Sequence, residues 1–434
     1  MTPSVVRYDA LGLLCPKNTR LSVSLSSPIK TFQLTWQSQT STNQYMKRVL
    51  PIIVIAQFFC TSLWFAGNAI MVDISKQFNL HPSYLAYLTS ILQLGFIIGT
   101  LVFAILSISD RFSPSKVFFA CATTAAIVNL GVAYLDVDLT ALLLLRFTTG
   151  FFLAGIYPVG MKIASDYYQE GLGKSLGFLV GALVIGTAFP HLLKGVGNFP
   201  WHSVIWITSL LSLMGGLSIL ILVPDGPFRK SGQQLKLSSF LSCFHHKNFR
   251  SVAFGYFGHM WEQYSFWVYL PVILTVYRNN HPHLNLNIPL LSFFIIAVGC
   301  VSCIIGGFLS EKFGAKKVAT VALCISGSCC LLSPIVFAGS SFILLLVFLL
   351  IWSMSVIADS PQLSSLVAQN AITSLKGTSI TLVTCIGFAI TIVSIQLISA
   401  LKTESNQYFI YSILAIGPIF GLISLRKSNP KAQS

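Results

Sequence analysis

Long apolar runs, separated by short polar and basic stretches, recur along this chain from residue 49 to residue 425. Within a few residues at each end they cover 49–72, 82–107, 116–135, 139–161, 173–194, 202–223, 251–277, 288–309, 317–337, 340–360, 377–400 and 407–425. Each run supplies the ~20 residues an α-helix needs to cross a bilayer core of ~30 Å. Continuous runs without strict alternation predict helices rather than the strands of a membrane barrel. The pattern predicts an all-α membrane protein with twelve transmembrane helices, spans 1 to 12.

Composition sharpens this picture. Charged residues are 9% of the chain and hydrophobic residues 54%, against roughly 25% charged in ordinary soluble proteins. Such a chain cannot cover a water-facing surface, and the short loops leave no room for a sizeable soluble domain. The net charge of +15 does not point to nucleic acid, because Lys and Arg collect on the cytoplasmic ends of spans. With both termini cytoplasmic, 22 of the 27 Lys and Arg fall in inner segments. Only Lys76, Lys194, Arg278 and Lys402 fall in outer loops, and Arg146 lies within a span. A plasma (inner) membrane is the expected location.

Residues 1–45 are polar and rich in Ser and Thr, without the apolar core of a signal peptide. They read as a polar tail or as upstream sequence joined to a start at Met46, the second being preferred because Met46-Lys47-Arg48 directly precedes span 1. The expected divisions are a six-helix bundle over 46–224, a basic cytoplasmic linker over 225–250, a second bundle over 251–426 and a short tail over 427–434. His245-His246 in the linker reads as a solvated pair. Cys300-x-x-Cys303 falls inside a span and reads as packing rather than metal chemistry.

The two bundles carry one repeat. Asp110 and Glu311, Pro158 and Pro361, Lys174 and Lys376, and Gly186 and Gly387 are separated by 201 to 203 residues. Six spans return the chain to the same side, so the halves are parallel and related by a pseudo-two-fold axis. Two such halves place a solute site between them near the midplane, with access alternating as they rock.

The segment Gly307-Phe308-Leu309-Ser310-Glu311-Lys312-Phe313-Gly314-Ala315-Lys316-Lys317 resembles the G-x-L-a-D-R-x-G-R-R loop of the major facilitator superfamily. Its first-half counterpart, Leu106 to Lys116, keeps Asp110-Arg111 but lacks both glycines, and Arg146-x-x-x-Gly150 resembles that superfamily's second motif. The resemblance covers residues 46–426. It implies that spans 1, 4, 7 and 10 line a central cavity. It also implies that Asp110 and Glu311, with Arg111, Lys312 and Lys316, act as conformational latches. Gly314 suits the tight reversal between helices. Charged loop residues that merely fix topology are the competing reading.

Span 1 carries Gln57, Thr61, Trp64, Phe65 and Asn68 on one helical face. An offset of 202 maps Gln57 to His259, Thr61 to Gln263, Phe65 to Trp267 and Cys60 to Glu262, and because the resemblance places spans 1 and 7 at the central cavity, the stripes should face each other there. Glu262 is the expensive group, since a carboxyl within a span usually marks a transport path or proton relay. It is read as a proton carrier, a solute contact or a structural partner, and His259 could share the proton. Arg146 shares its face with Thr149, Gly150, Leu153 and Tyr157. It is a partner for Glu262, a binder of an anionic solute, or a structural donor to carbonyls. Asp359 beside Pro361 suggests a gate or a helix-end contact. His191 and Lys194 read as snorkelling or interfacial.

These features predict a secondary active transporter of a small solute, working by alternating access and driven by protons. Arg146 favours an anionic or zwitterionic solute. A drug or metabolite efflux antiporter is the alternative, weakened because Gly177, Gly181, Gly186 and Pro190 do not match an exporter's span 5. A solute sensor would need a signalling domain. An enzyme would need a dense polar cluster, and the ionisable groups are scattered. The expected partners are a solute, a proton or other coupling ion, and the bilayer. No cofactor, metal or nucleic acid is expected.

Overall fold

The structure is a computed structural model that describes residues 48–77, 84–134, 138–168, 172–197, 200–229, 243–372 and 375–427. The expected tail over 1–45 and much of the linker lie outside the described residues. Every described element is a helix, which leaves few backbone groups in need of a partner from lipid.

Span 1 is Arg48–Thr61, a turn at residues 62–65, and the short helices Ala66–Ala69 and Met71–Gln77. Spans 2 and 3 are Tyr84–Ile105 and Pro114–Tyr134. Span 4 is Leu139–Leu153 followed by Tyr157–Tyr167. Spans 5 and 6 are Leu172–Val196 and Trp201–Leu222. Span 7 is Lys247–Asn280, a helix of 34 residues. Spans 8 and 9 are Ile288–Phe313 and Ala315–Phe337. Span 10 is Phe342–Ala358 followed by Ser360–Asn370. Span 11 is Lys376–Leu401, and span 12 runs from the 3₁₀ turn Ile410–Ala415 into Ile416–Arg426.

The predicted runs match these helices within a few residues, except at the C-terminal ends of spans 4 and 10. Those runs were expected to stop at 161 and 360, but helix continues to Tyr167 and Asn370. Apolar content marks where the chain leaves hydrocarbon, not where its backbone stops being helical. Both spans break just before these extensions, at residues 154–156 and at Asp359. Pro158 and Pro361 each stand at the second position of the restarted helix, where a missing N–H leaves no bond unmade. The repeat is therefore a repeat of helix breaks as well as of sequence.

Close packing repeats with it. A Cβ on Gly186 would collide with Thr61 Oγ1 and the Phe58 carbonyl, and one on Gly387 would meet the Tyr256 ring and Met260. Span 5 thus presses on span 1 as span 11 presses on span 7. At the end of the first bundle away from Asp110, Ala66, Ile70, Ile74, Leu88, Leu142 and Ile205 form a buried core.

The halves meet along spans 5 and 8 and along spans 2 and 11. Asn287 Nδ2 donates to the Gly195 carbonyl at 2.8 Å, and Gln396 Nε2 donates to Ser90 Oγ at 2.8 Å. Cys300 and Cys303 lie on the span 5–8 seam, where a Cβ on Gly181 would stand 2.9 Å from Cys300 Sγ.

The two loop motifs differ in backbone. Gly314 has φ +85° and both ends span 8 and caps span 9. Its first-half counterpart position is Ser113. There the positive φ falls earlier, on Ser107 (φ 51°), before the four-residue helix Ile108–Arg111.

Candidate functional site

Gln57, Thr61, Trp64 and Phe65 of span 1 and His259, Gln263 and Trp267 of span 7 are all buried, and Asn68 is half-buried. The two stripes do meet: the Phe65 and Trp267 rings stand edge to face with centroids 6.4 Å apart. Thr61 Oγ1 donates to the Gln57 carbonyl at 2.8 Å, while both amide atoms of Gln57 lack a partner among the described residues. Asn68 Nδ2 donates to Thr89 Oγ1 at 2.8 Å.

Arg146 is 1% exposed and reaches the break in span 1. Its Nη2 donates to the Trp64 carbonyl at 2.7 Å and its Nη1 to the Leu63 carbonyl at 3.3 Å. A turn inside a span strips carbonyls of their helical donors, and a guanidinium replaces them with charge-assisted bonds. Of the three readings open to Arg146, its bonds are those of a structural donor to carbonyls. It forms no ion pair with Glu262 among the described residues. Thr149, Gly150 and Leu153 on the same face are buried, and Tyr157 is half-buried.

Glu262 turns away from the facing stripes into its own bundle. It accepts hydrogen bonds from Trp352 Nε1 at 2.6 Å, Ser326 Oγ at 2.9 Å and Cys330 Sγ at 3.2 Å. Its repeat equivalent behaves alike, since Cys60 Sγ donates to the Ser212 carbonyl of span 6 at 3.4 Å. Position 262 is adjacent to Gln263, and one helical residue rotates the side chain by ~100°. That single step removes it from the cavity face.

His259 and Asp359 form the unexpected pair. Nδ1 and Oδ1 are 2.8 Å apart, and both side chains are 1% exposed. The contact has ion-pair distance without the alignment of a hydrogen bond, so neither group counts as hydrogen-bonded. Asp359 is the single non-helical residue between the two parts of span 10. The pair thus joins span 7 to a hinge. One hundred residues separate these groups in sequence, and the only hint was that both fell on spans implied to line the cavity.

Between the stripes lies a cluster of rings from five spans. Trp64 stacks on Tyr264 at 5.8 Å and touches Phe96 at 5.0 Å and Phe388 at 5.6 Å. Tyr264 packs on Trp267 at 5.3 Å and on Phe388 at 5.2 Å. His191 joins it edge to face against Phe65 at 6.5 Å. It is buried, not interfacial as expected, because span 5 is drawn against span 1 at Gly186. Lys194 does lie toward the surface, paired with Asp73 at 2.8 Å.

The two loop motifs diverge. Asp110 pairs with Lys162 at 2.9 Å, and Lys162 stands 3.7 Å from Asp166. Arg229, just past span 6, donates to the Phe112 carbonyl at 2.8 Å and the Asp110 carbonyl at 3.1 Å. Ser113 Oγ donates to Asp225 at 2.6 Å. Arg111, Glu311 and Lys312 are exposed, and Lys316 is half-buried. Glu311 forms no ion pair among the described residues, and position 364, equivalent to Lys162, is Ser. Lys312 Nζ lies 5.3 Å over the Phe313 ring.

Comparison with known proteins follows this geometry. Residues 53–424 match the profile of the Major Facilitator Superfamily. A Bacillus subtilis protein named "Putative niacin/nicotinamide transporter NiaP" is 26% identical over 161 residues, which are 36% of this chain and 39% of that protein. The match therefore spans well under half of that relative's length. The human organic anion transporter MFSD10 (TETRAN) superposes with a TM-score of 0.70 at 15% identity, covering 88% of this chain and 99% of its own. A bacterial homologue of the human lysosomal transporter Spinster, in an inward-facing and occupied conformation, gives 0.63 at 14% identity, covering 88% and 96%.

Proposed function

Because the chain belongs to the major facilitator superfamily, and is a multi-pass membrane transporter rather than an enzyme, we propose that it moves a small organic solute by proton-coupled alternating access. The observation that carries the coupling is the buried His259–Asp359 pair at the break in span 10. A carboxylate and an imidazolium attract each other strongly in a dry interior, whereas an isolated buried charge costs several kcal/mol. With one proton shared, span 7 and the hinge are held together. A second proton leaves a neutral carboxyl beside an imidazolium, removes the attraction and frees the hinge. Proton occupancy thereby sets which arrangement of the halves is stable, which is what coupling requires.

Glu262 serves this reading as a support. Three donors fix it, and through Trp352 it ties span 7 to the outer part of span 10. Arg146 holds the broken segment of span 1 and brings positive charge up behind Trp64, which supports an anionic, zwitterionic or amide solute. The names of the similar proteins, for niacin or nicotinamide and for organic anions, support a small organic acid or amide. We place both termini and the 2–3 and 8–9 loops on the cytoplasmic side of the plasma membrane, with Asp110–Lys162 as the latch of the first half.

The test is vesicles containing the protein and an internal pH indicator, to which small organic acids and amides are added in turn. A transported solute should move protons with wild type. Asp359→Asn should abolish the proton signal while exchange of labelled solute across the membrane persists. Wild-type proton movement in that variant would refute the assignment.

A further inference from the structure

Several polar atoms at the meeting of the halves are buried without a hydrogen-bond partner. They are Trp64 Nε1, Trp267 Nε1, His191 Nε2 and both amide atoms of Gln93. Trp64, Trp267 and Gln93 are each no more than 1% exposed. Gln93, which the sequence pattern did not single out, sits on the span 2 face that carries Thr89 and Phe96. Thr89 bonds Asn68 and Phe96 packs on Trp64, so position 93 fronts the ring cluster. Buried donors without acceptors are unfavourable and rare. A plain hydrophobic seal between the halves would be built from Phe and Leu and would need none of them.

The rings themselves show what could fill this place. Trp64 belongs to the first half and Tyr264 to the second, and they stack with an interplanar angle of 27°. When the halves part, each loses the aromatic face that covers it. A flat ring entering between them restores both faces, and acceptor atoms on its edge meet the waiting N–H groups. Among the described residues no carboxylate joins the cluster, and the Arg146 guanidinium bonds the carbonyl of Trp64 itself. A cation would gain from the ring faces but would meet donors and a buried positive charge.

We propose that the Trp64–Tyr264 stack is the seat of a flat aromatic solute bearing hydrogen-bond acceptors, neutral or anionic, read by the indole N–H groups of Trp64 and Trp267 and by the Gln93 amide. This rests on the transporter reading above and adds the solute's shape and edge chemistry. Arg146 acts here as a positioning residue, because its bonds to the Leu63 and Trp64 carbonyls fix where the Trp64 ring stands.

Purified full-length protein would be titrated with four probes, following tryptophan fluorescence and melting temperature. Benzoate and benzamide carry a flat ring and acceptors, cyclohexanecarboxamide has the acceptor on a puckered, saturated ring, and benzyltrimethylammonium has the flat ring with a cation and no acceptor. Benzamide or benzoate should bind at least about tenfold tighter than the other two. Trp267→Phe keeps a ring, and Gln93→Leu keeps a branched side chain one atom shorter without the amide. Each should weaken benzamide about threefold to tenfold, the effect of one hydrogen bond. Gln93→Leu should also leave the unliganded melting temperature unchanged or raised, because it removes an unpartnered amide; this shows that the variant is folded. Equal binding of cyclohexanecarboxamide, binding of no probe, or unchanged benzamide affinity in both variants would overturn the proposal. The last result is what buried water on these donors would give. Ring binding without any flux in vesicles would refute the transporter reading alone, and flux of non-aromatic solutes without ring binding would refute the seat alone.

Discussion

Single side chains at this interface divide into those that hold the backbone and those left free to respond. Arg146 belongs to the first group, since Leu63 and Trp64 offer carbonyls that have no other donor among the described residues. Arg146→Met should destabilise the protein by at least ~2 kcal/mol, at ~1–3 kcal/mol per buried unsatisfied carbonyl, read as a lower melting temperature in detergent. Arg146→Lys should recover part of the loss. A variant as stable as wild type would show that water serves those carbonyls equally well. Glu262→Gln should cost about 1–3 kcal/mol, because the amide N–H₂ that replaces Oε2 cannot accept from Ser326, while the remaining oxygen still serves Trp352 and Cys330. It should leave the pH dependence of transport in place. Sequence alone made Glu262 conspicuous, because a charge among apolar residues is visible in one dimension. Its direction was not visible, since that depends on a rotation of one residue about the helix axis. Gln93 stayed hidden for the opposite reason: an amide on an otherwise apolar helix attracts no notice until its neighbours prove unable to bond it.

At the scale of helices, most of the fold was legible. Length, continuity and loop charge give twelve spans, and the offset near 202 gives the pairing of helices between halves. The breaks in spans 1, 4 and 10 were only partly legible. Pro158 and Pro361 mark two of them, but both prolines stand inside the restarted helices and do not cause a kink by clash. Pro158→Ala and Pro361→Ala should therefore change stability by no more than about 1 kcal/mol, measured by thermal unfolding. A loss of several kcal/mol would mean that the prolines themselves impose the breaks. The glycine contacts should be far less tolerant. Gly186→Leu places a side chain where Thr61 Oγ1 and the Phe58 carbonyl already lie, so span 5 cannot seat against span 1. Little or no folded protein should survive extraction, as judged by size-exclusion chromatography.

The two halves of the molecule are alike in frame and unequal in chemistry. The first half carries the charge network Asp110–Lys162–Asp166 with Arg229, and the second has Ser364 where Lys162 would stand. The second half carries His259–Asp359, whereas in the first Gln57 stands at the position of His259 and Tyr157, at the offset of 202, at that of Asp359. In the function proposed above, the Asp110–Lys162 latch of one half and the His259–Asp359 hinge of the other divide the work of one cycle. Lys162 and Asp110 are partly exposed, so Lys162→Met should change stability by under about 1 kcal/mol while altering how readily the ends of the spans at this network separate, as cysteine-labelling rates near Asp110 would report. The hinge is tested by accumulation in vesicles of labelled nicotinate or benzoate under an imposed pH gradient, comparing wild type, Glu262→Gln and Asp359→Asn. Wild type and Glu262→Gln should both concentrate the solute, and Asp359→Asn should only equilibrate it. Concentration by Asp359→Asn, or its loss in Glu262→Gln at full exchange activity, would place the proton elsewhere than on the His259–Asp359 pair.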